Sequence, residues 1–238
     1  MGGAVTAMQD TDVLTRRLIV HTVVWLVILG AILFLSAGTI DWPEAWVLLI
    51  GSGGLGLVST LIIARHDPQL IRERMRGPIQ SKQKPWDKAL LAVVMVLCIV
   101  MFVVAGLDAV RYQMSNMPVW LEVLGAAGIA LGIYIFHVVM RTNSYATAVV
   151  RIQDERGHQV ISTGPYAFVR HPMYSGAAFY FVGIALLLGS WYAVAIAVVL
   201  IALFGLRAVW EENTLKVELA GYSDYAQRVR YRLIPGVW

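Results

Sequence analysis

The chain has 238 residues, of which 58% are hydrophobic and 14% are charged, against roughly 45–50% and about 25% in an average soluble domain. This composition excludes an ordinary water-soluble fold. The net charge of +4 does not indicate nucleic-acid binding, because the basic residues flank apolar segments and form no basic, aromatic-rich face. A single cysteine, Cys98, excludes a disulfide framework or a cysteine metal site within one chain.

Apolar segments of about 20 residues recur along the chain, which is the length that a helix needs to cross about 30 Å of hydrocarbon. We therefore predict an all-α integral membrane protein with about six transmembrane helices. The last two spans should form a C-terminal helical hairpin that turns at residues 189–192, where aromatic side chains suit the membrane interface. The predicted spans are residues 18–38, 44–64, 89–107, 119–140, 173–189 and 191–210.

The positive residues predict the orientation of these spans. Of the 19 Lys and Arg residues, two precede the first span, seven lie in the loop 65–88, four lie between Arg141 and Arg170, and five occur from Arg207 onward. On the opposite side of the membrane, Arg111 stands alone. Because positive residues accumulate in short cytoplasmic loops, we expect both termini and the two long loops to face the cytoplasm, at the plasma membrane if the source is bacterial.

Two further features of the N-terminal half predict structure. Small residues such as Gly125 and Gly128, and those of the glycine-rich stretch 51–56, fall inside spans, where they allow helices to approach closely. The basic loop 65–88 has two interpretations that stay open: a solvated connection near anionic lipid headgroups, or a substrate lid or lipid-gripping loop. The motif Trp86-Asp87-Lys88 indicates an interfacial anchor with a local charge pair.

Polar residues beside an apolar span are functional candidates, because polarity there is energetically costly. Arg207 precedes Glu211 and Glu212 at the end of the last span, and a spacing of four places Arg207 and Glu211 on one helix face. Taken alone, these residues are better explained as an ordinary solvated helix end, with Arg207 extending toward the interface along the helix.

A second candidate segment leads into the fifth span. Pro172 suits the first turn of a helix, so this span should begin just after His171, which by itself could be an ordinary interfacial histidine. The free N–H groups and the positive dipole end of that helix suit a carboxylate. A ligand with a carboxylate, a cationic centre and an aromatic ring could bridge this helix start and the two glutamates.

These motifs together resemble the isoprenylcysteine carboxyl methyltransferase family, which is related to the membrane phospholipid methyltransferases. The resemblance rests on the string 164–176 (GPYAFVRHPMYSG), the hairpin, Glu211-Glu212, the string 221–225 (GYSDY) and Ile234-Pro235. It covers about residues 141–238. It implies two regions: residues 1–140, an N-terminal four-helix membrane region with the cytoplasmic loop 65–88, and residues 141–238, a methyltransferase core with a cofactor-binding loop, the hairpin and a C-terminal cytoplasmic segment.

The resemblance also implies the site residues. The core is expected to hold S-adenosyl-L-methionine in a cytoplasmic pocket that communicates with the bilayer, without a metal. Arg207 aligns with the family's substrate-side arginine, and Arg207 and Arg170 are the expected catalytic residues. The expected cofactor-binding residues are Arg151, His158, Gln159, Val160, Ile161, Tyr166, His171, Pro172, Met173, Tyr174, Glu211 and Glu212.

By resemblance, the function is that of an S-adenosylmethionine-dependent methyltransferase, similar to isoprenylcysteine carboxyl O-methyltransferases. Its partners are then the lipid bilayer and a lipophilic or membrane-embedded acceptor, a carboxylate of the isoprenylcysteine type or a lipid, and not nucleic acid. A sterol-reductase-like enzyme that uses NADPH remains an alternative, although Glu211 and Glu212 would repel a dinucleotide phosphate. A non-enzymatic transporter or scaffold is disfavoured, because the spans carry almost no charge at mid-depth and show no internal repeat.

Overall fold

The computed structural model describes residues 2–77, Gln80 and 83–238, with side chains from Asp12 onward. All regular structure in these residues is helical, which confirms the prediction of an all-α membrane protein. Four residues of the predicted loop 65–88, at positions 78, 79, 81 and 82, lie outside the described residues. The α-helices are α1 (Gly2–Ala37), α2 (Pro43–Val47), α3 (Gly53–His66), α4 (Pro68–Arg74), α5 (Pro85–Ala105), α6 (Val119–Thr142), α7 (Pro172–Leu187), α8 (Trp191–Glu218) and α9 (Tyr222–Arg228).

Five helical stretches are long and apolar enough to cross a membrane. Two of them include π-helical turns: Leu48–Ser52 joins α2 to α3, and Gly106–Arg111 continues α5. The predicted span 173–189 corresponds to α7, which has 16 residues and extends about 24 Å at about 1.5 Å per residue, less than the hydrocarbon thickness of about 30 Å. A sixth span therefore stays a prediction. The five stretches are Asp12–Ala37, Pro43–His66, Pro85–Arg111, Val119–Thr142 and Trp191–Glu218.

The helix that contains the predicted last span is longer than that span, because α8 continues eight residues past position 210, to Glu218. Apolar length marks the part of a helix that lies in lipid, whereas the helical hydrogen bonds continue through charged residues as well. Arg207 and Glu211 are consequently held on one continuous helix.

Helices α6 and α7 pack at very short range. An ideal Cβ atom added to Gly125 would lie 2.5 Å from the backbone nitrogen of Leu187, and one added to Gly132 would lie 2.8 Å from the carbonyl oxygen of Gly176. No side chain fits in these positions, so the predicted role of the α6 glycines in helix packing is confirmed. In the stretch 51–56 the prediction is confirmed for Gly53 alone, since the other glycines there have no described neighbour within 4 Å.

The first two spans share one core with the C-terminal half. Leu33 of α1, Met101 of α5, Ile184 of α7 and Leu200 of α8 are at most 1% exposed and belong to the same apolar cluster. The N-terminal helices are thus part of the bundle that supports α7 and α8.

The beginning of the loop 65–88 forms α4, which packs against the bundle. The Asp67 side chain accepts a hydrogen bond from the backbone N–H of Leu70 at 2.8 Å, which caps the helix start. Leu70 and Ile71 are 0% and 2% exposed and contact a cluster that includes Leu14 of α1 and Met140 of α6. The interpretation as a solvated connection is therefore wrong for α4.

Candidate functional site

A cavity of about 390 Å³ lies among α6, α7, α8 and the segment 143–171. This end of the bundle also carries α4 and the C-terminal segment, residues 219–238. We call it the basic end, because most Lys and Arg residues of the chain lie there. The structure brings all but one of the predicted site residues to the cavity wall, and the exception is Glu212. Those that line the cavity are Arg151, His158, Gln159, Val160, Ile161, Tyr166, Arg170, His171, Pro172, Met173, Tyr174, Arg207 and Glu211.

The start of α7 is held in place by the C-terminal segment. Pro172 occupies the first turn of the helix, as the sequence predicts. The backbone N–H groups of Arg170 and His171 donate to the carbonyl oxygens of Tyr231 and Arg232, each at 2.9 Å. These hydrogen bonds fix the backbone that precedes α7. The side chains of Arg170 and His171, which line the cavity, are therefore held by a rigid backbone.

Glu212 lies behind the cavity wall and is 1% exposed. The Nε atom of Arg170 donates to its Oε1 atom at 2.7 Å, while Nη1 of Arg170 donates to the carbonyl oxygens of Ala226 and Val229, each at 3.0 Å. The Arg232 guanidinium lies 3.2 Å from the second carboxylate oxygen. Glu212 thereby links Arg170 to Arg232 of the C-terminal segment. Glu212 supports the cavity wall from behind and does not line it.

Glu211, in contrast, presents a carboxylate to the cavity. The Tyr174 hydroxyl donates to Oε2 of Glu211 at 2.6 Å, and Nδ1 of His171 lies 3.7 Å from the same oxygen. The rings of His171 and Tyr174 stack with centroids 5.4 Å apart. The Oε1 atom of Glu211 has no partner among the described residues, so this oxygen can pair with a cationic group of a ligand.

Arg207 is anchored by a residue far away in the sequence. Its Nε atom donates to Oδ1 of Asp87 at 2.8 Å across a separation of 120 residues, and Nη2 donates to the carbonyl oxygen of Ala148 at 2.8 Å. Asp87 is fully buried and also accepts from the Val150 N–H at 2.9 Å and from the Gln83 amide at 2.8 Å. The Nη1 atom of Arg207 has no hydrogen-bond partner among the described residues, and Arg207 lines the cavity.

Two interpretations of these residues from the sequence were wrong. Arg207 does not extend to the interface, because its side chain is 6% exposed and pairs inside the bundle. Asp87 makes no described ion pair within the motif 86–88, and its partner is Arg207. The sequence did hold a signal for Asp87, since a carboxylate at the start of an apolar span is costly without a buried partner.

Arg151 and His158 occupy the wall formed by the segment 143–171. Arg151 pairs with Glu73 of α4 at 2.8 Å and with Glu155 at 2.5 Å. Burial by itself would lower the pKa of Arg151. The hydrogen bonds and charges of the two glutamates outweigh this effect and raise the pKa. Burial lowers the pKa of His158, whose ring lies 4.5 Å from that of Tyr145. The wall therefore combines a fixed cation with a histidine that favours the neutral form.

Aromatic residues close the side of the cavity next to α9. The Tyr225 hydroxyl donates to the carbonyl oxygen of Tyr166 at 2.7 Å, and burial raises the pKa of Tyr225 to about 12. The Tyr166 hydroxyl accepts from the Asn143 amide at 2.9 Å. Tyr225 and Asn143 also line the cavity, and neither was predicted as a site residue. Tyr225 belongs to the string 221–225 that contributes to the resemblance, which was a signal for it, whereas Asn143 has no distinctive local pattern.

The chain is similar to known membrane methyltransferases. A profile of the phospholipid methyltransferase family matches residues 120–219. Protein-S-isoprenylcysteine O-methyltransferase B of Arabidopsis thaliana is 34% identical over 113 residues, which are 46% of this chain and 57% of that protein. A probable protein-S-isoprenylcysteine O-methyltransferase of Oryza sativa subsp. indica is 38% identical over 85 residues, which are 35% of this chain and 44% of that protein.

A solved structure has a similar fold. It is the eukaryotic intramembrane Ras methyltransferase ICMT (isoprenylcysteine carboxyl methyltransferase), with a TM-score of 0.53 and 21% identity over 88% of this chain and 74% of that chain. The matched segments span about half the length of the curated relatives. The resemblance to the isoprenylcysteine carboxyl methyltransferase family, with its phospholipid methyltransferase relatives, is confirmed by these similarities.

Proposed function

We propose that the cavity is the active site of an S-adenosyl-L-methionine-dependent methyltransferase that esterifies the carboxylate of a prenylated cysteine or a similar membrane-embedded acid. The observation that carries this proposal is the arrangement on α8. An anchored arginine, Arg207, and a carboxylate with a free oxygen, Glu211, line the same cavity one helical turn apart. A positive group for the acceptor and a negative group for the donor are thereby placed next to each other.

The residues of the wall fit this methyl donor. The unpartnered oxygen of Glu211 suits its cationic amino group, and the start of α7 suits its carboxylate. Tyr145 and His158 line the cavity with their ring planes tilted by 32°, and such aromatic surfaces suit an aromatic base. The sequence similarity of the chain to a protein-S-isoprenylcysteine O-methyltransferase supports the same assignment.

The residues around Arg207 suit an acidic acceptor. When bound there, the donor would supply a methyl group on a positively charged sulfur. The bond from the methyl carbon to the acceptor oxygen would form as the bond from the methyl carbon to sulfur breaks, and no proton would be transferred. Arg207 would donate from Nη1 to the acceptor carboxylate while Asp87 prevents the guanidinium from turning. Holding the two reacting atoms in line supplies much of the acceleration of such a reaction.

The apolar part of the cavity suits the hydrophobic portion of the acceptor. Phe136, Tyr180, Phe181 and Phe204 line it, and these residues lie on α6, α7 and α8. A prenyl chain that enters from the bilayer would bury apolar surface against these rings. The positive residues at this end of the bundle support its placement in the cytoplasm, at the plasma membrane if the source is bacterial.

Isothermal titration of the detergent-purified chain tests the proposal. We expect saturable binding of S-adenosyl-L-methionine and of S-adenosylhomocysteine, and a loss of about tenfold or more in Glu211→Gln, because one charge-assisted hydrogen bond contributes about 1.5–3 kcal/mol. Glu218→Gln is the matched control, since Glu218 lies on the same helix and pairs with Lys84 outside the cavity. Binding of NADPH alone would assign the chain to the reductases, and binding of no cofactor would refute an enzymatic cavity of this kind.

A further inference from the structure

The arginines of the cavity wall differ in how they are paired. Four arginines line the cavity: Arg74, Arg151, Arg170 and Arg207. The last three each lie 2.5–2.8 Å from a carboxylate. Among the residues whose side chains are described (12–77, Gln80 and 83–238), Arg74 has no carboxylate partner. Of these four arginines, Arg74 is therefore the one whose charge no described carboxylate balances.

The contacts of Arg74 leave most of its donors unused. Its Nη1 atom donates to the carbonyl oxygen of Ala146 at 2.7 Å and lies 3.9 Å from the sulfur of Met173. Neither partner carries a charge. The Nε and Nη2 atoms have no partner among the described residues, and a guanidinium has a planar set of donors that matches a carboxylate at two points.

Arg74 is held at the cavity by the packing of α4. The preceding residue, Glu73, is 6% exposed and pairs with Arg151 at 2.8 Å, and Leu70 of the same helix is fully buried. Burial lowers the pKa of Arg74. Arg74 is half-buried. A partly desolvated cation without a nearby anion is less favourable than a paired one, and an anionic ligand in the cavity would relieve this cost.

We propose that Arg74 binds the carboxylate of a ligand in the cavity, so that α4 completes the binding site. This inference rests on the proposed function, in which two carboxylates are available, one on the methyl donor and one on the acceptor. Arg74 lies 3.9 Å from Met173 and close to Tyr166, and both of these residues are among those expected to bind the donor. The carboxylate of the donor is accordingly the expected partner.

Titration of Arg74→Gln and Arg74→Lys with two adenosine ligands tests the proposal. S-adenosylhomocysteine has the carboxylate, whereas 5′-methylthioadenosine lacks the amino-acid portion. We expect Arg74→Gln to bind S-adenosylhomocysteine roughly 10- to 100-fold more weakly and 5′-methylthioadenosine as well as the unmodified chain does. Arg74→Lys should recover part of the loss, since it keeps the charge but not the two-point contact.

Arg76→Gln is the matched control, because Arg76 lies two residues away and its side chain is 61% exposed; it should leave both affinities unchanged. If Arg74→Gln spares both ligands but raises the KM of an acidic acceptor, the carboxylate is that of the acceptor. Equal weakening of both adenosine ligands, or no change in binding and KM, would overturn the proposal. Failure of the unmodified chain to bind S-adenosylhomocysteine would instead refute the proposed function.

Discussion

The two ends of the third span each contain a fully buried aspartate, and these two residues have different partners. Asp87, at the basic end, accepts from the Arg207 guanidinium at 2.8 Å. Asp108, at the other end, accepts from the hydroxyl groups of Ser115 and Ser190 at 2.6 and 2.5 Å. The first aspartate positions a cation in a cavity, whereas the second joins the π-helical turn to the start of α8. Burial of a carboxylate thus indicates a role, and the partner determines which role it is.

Substitution of Asp87 should have the largest effect. In Asp87→Asn the Arg207 guanidinium loses its anchoring charge, and a displacement of about 1 Å at a reacting group can reduce the rate about 100-fold. We expect kcat for methyl transfer to fall about 100-fold, while the Kd of S-adenosylhomocysteine changes less than about threefold. Initial rates and titration of the same preparation measure both quantities. A normal kcat in a folded Asp87→Asn chain would show that Asp87 does not act through Arg207.

The double variant sharpens this comparison. If Asp87 acts solely by positioning Arg207, then adding Asp87→Asn to Arg207→Gln should reduce kcat by no more than about threefold, because residues that act as a unit are not additive. A further loss of about 100-fold would mean that the two residues contribute independently. The two single variants, measured alongside, complete the cycle.

Substitution of Asp108 should affect stability and spare the reaction. Asp108→Asn weakens two hydrogen bonds to a charged group, each of which contributes about 1.5–3 kcal/mol, so the thermal midpoint should fall. The rate of methyl transfer per folded molecule should stay within about twofold of the unmodified chain. A loss of turnover as large as that of Asp87→Asn would contradict the difference between the two aspartates.

The smallest effect should come from His158 and concerns pH. Because burial lowers the folded-state pKa of His158, its contribution to stability is present above the unfolded-state pKa of about 6.5 and is lost as the pH falls through the folded-state value. We expect the thermal midpoint of unfolding to fall more between pH 7 and pH 5 in the unmodified chain than in His158→Gln. Asp108→Asn should show the slope of the unmodified chain, and identical slopes in all three would contradict this assignment.

The residues of the C-terminal cavity wall were largely predictable, because the resemblance to the family places them in a few short segments and local patterns agree with it. Pro172 starts α7 where a proline is favoured, and the spacing of Arg207 and Glu211 places them on one helix face. Glu212 shows the limit of such reasoning. It is adjacent to Glu211 but points to Arg170 behind the wall. The four-residue spacing that places Glu211 beside Arg207 leaves Glu212 on another face of the helix, and the expectation that both glutamates bind the cofactor did not use this difference.

The contributions of the N-terminal half were not predictable at the level of single residues. Asp87 meets Arg207 over 120 residues, and Arg74 meets Ala146 over 72 residues. Such contacts depend on how α4 and α5 pack against α8, which periodicity and spacing do not encode. The one available signal in the sequence was Asp87 itself, because placing a carboxylate in an apolar span costs free energy unless it has a buried partner.

Transfer of a labelled methyl group from S-adenosyl-L-methionine to N-acetyl-S-farnesylcysteine and to its carboxamide most directly tests the central claim. We expect the unmodified chain to label the free acid as an ester that alkali cleaves, to leave the carboxamide unlabelled, and to lose about 100-fold of this activity in Asp87→Asn but not in Asp108→Asn. Labelling of both compounds, or equal activity in the two aspartate variants, would contradict the account of an acceptor carboxylate oriented by Arg207 and Asp87.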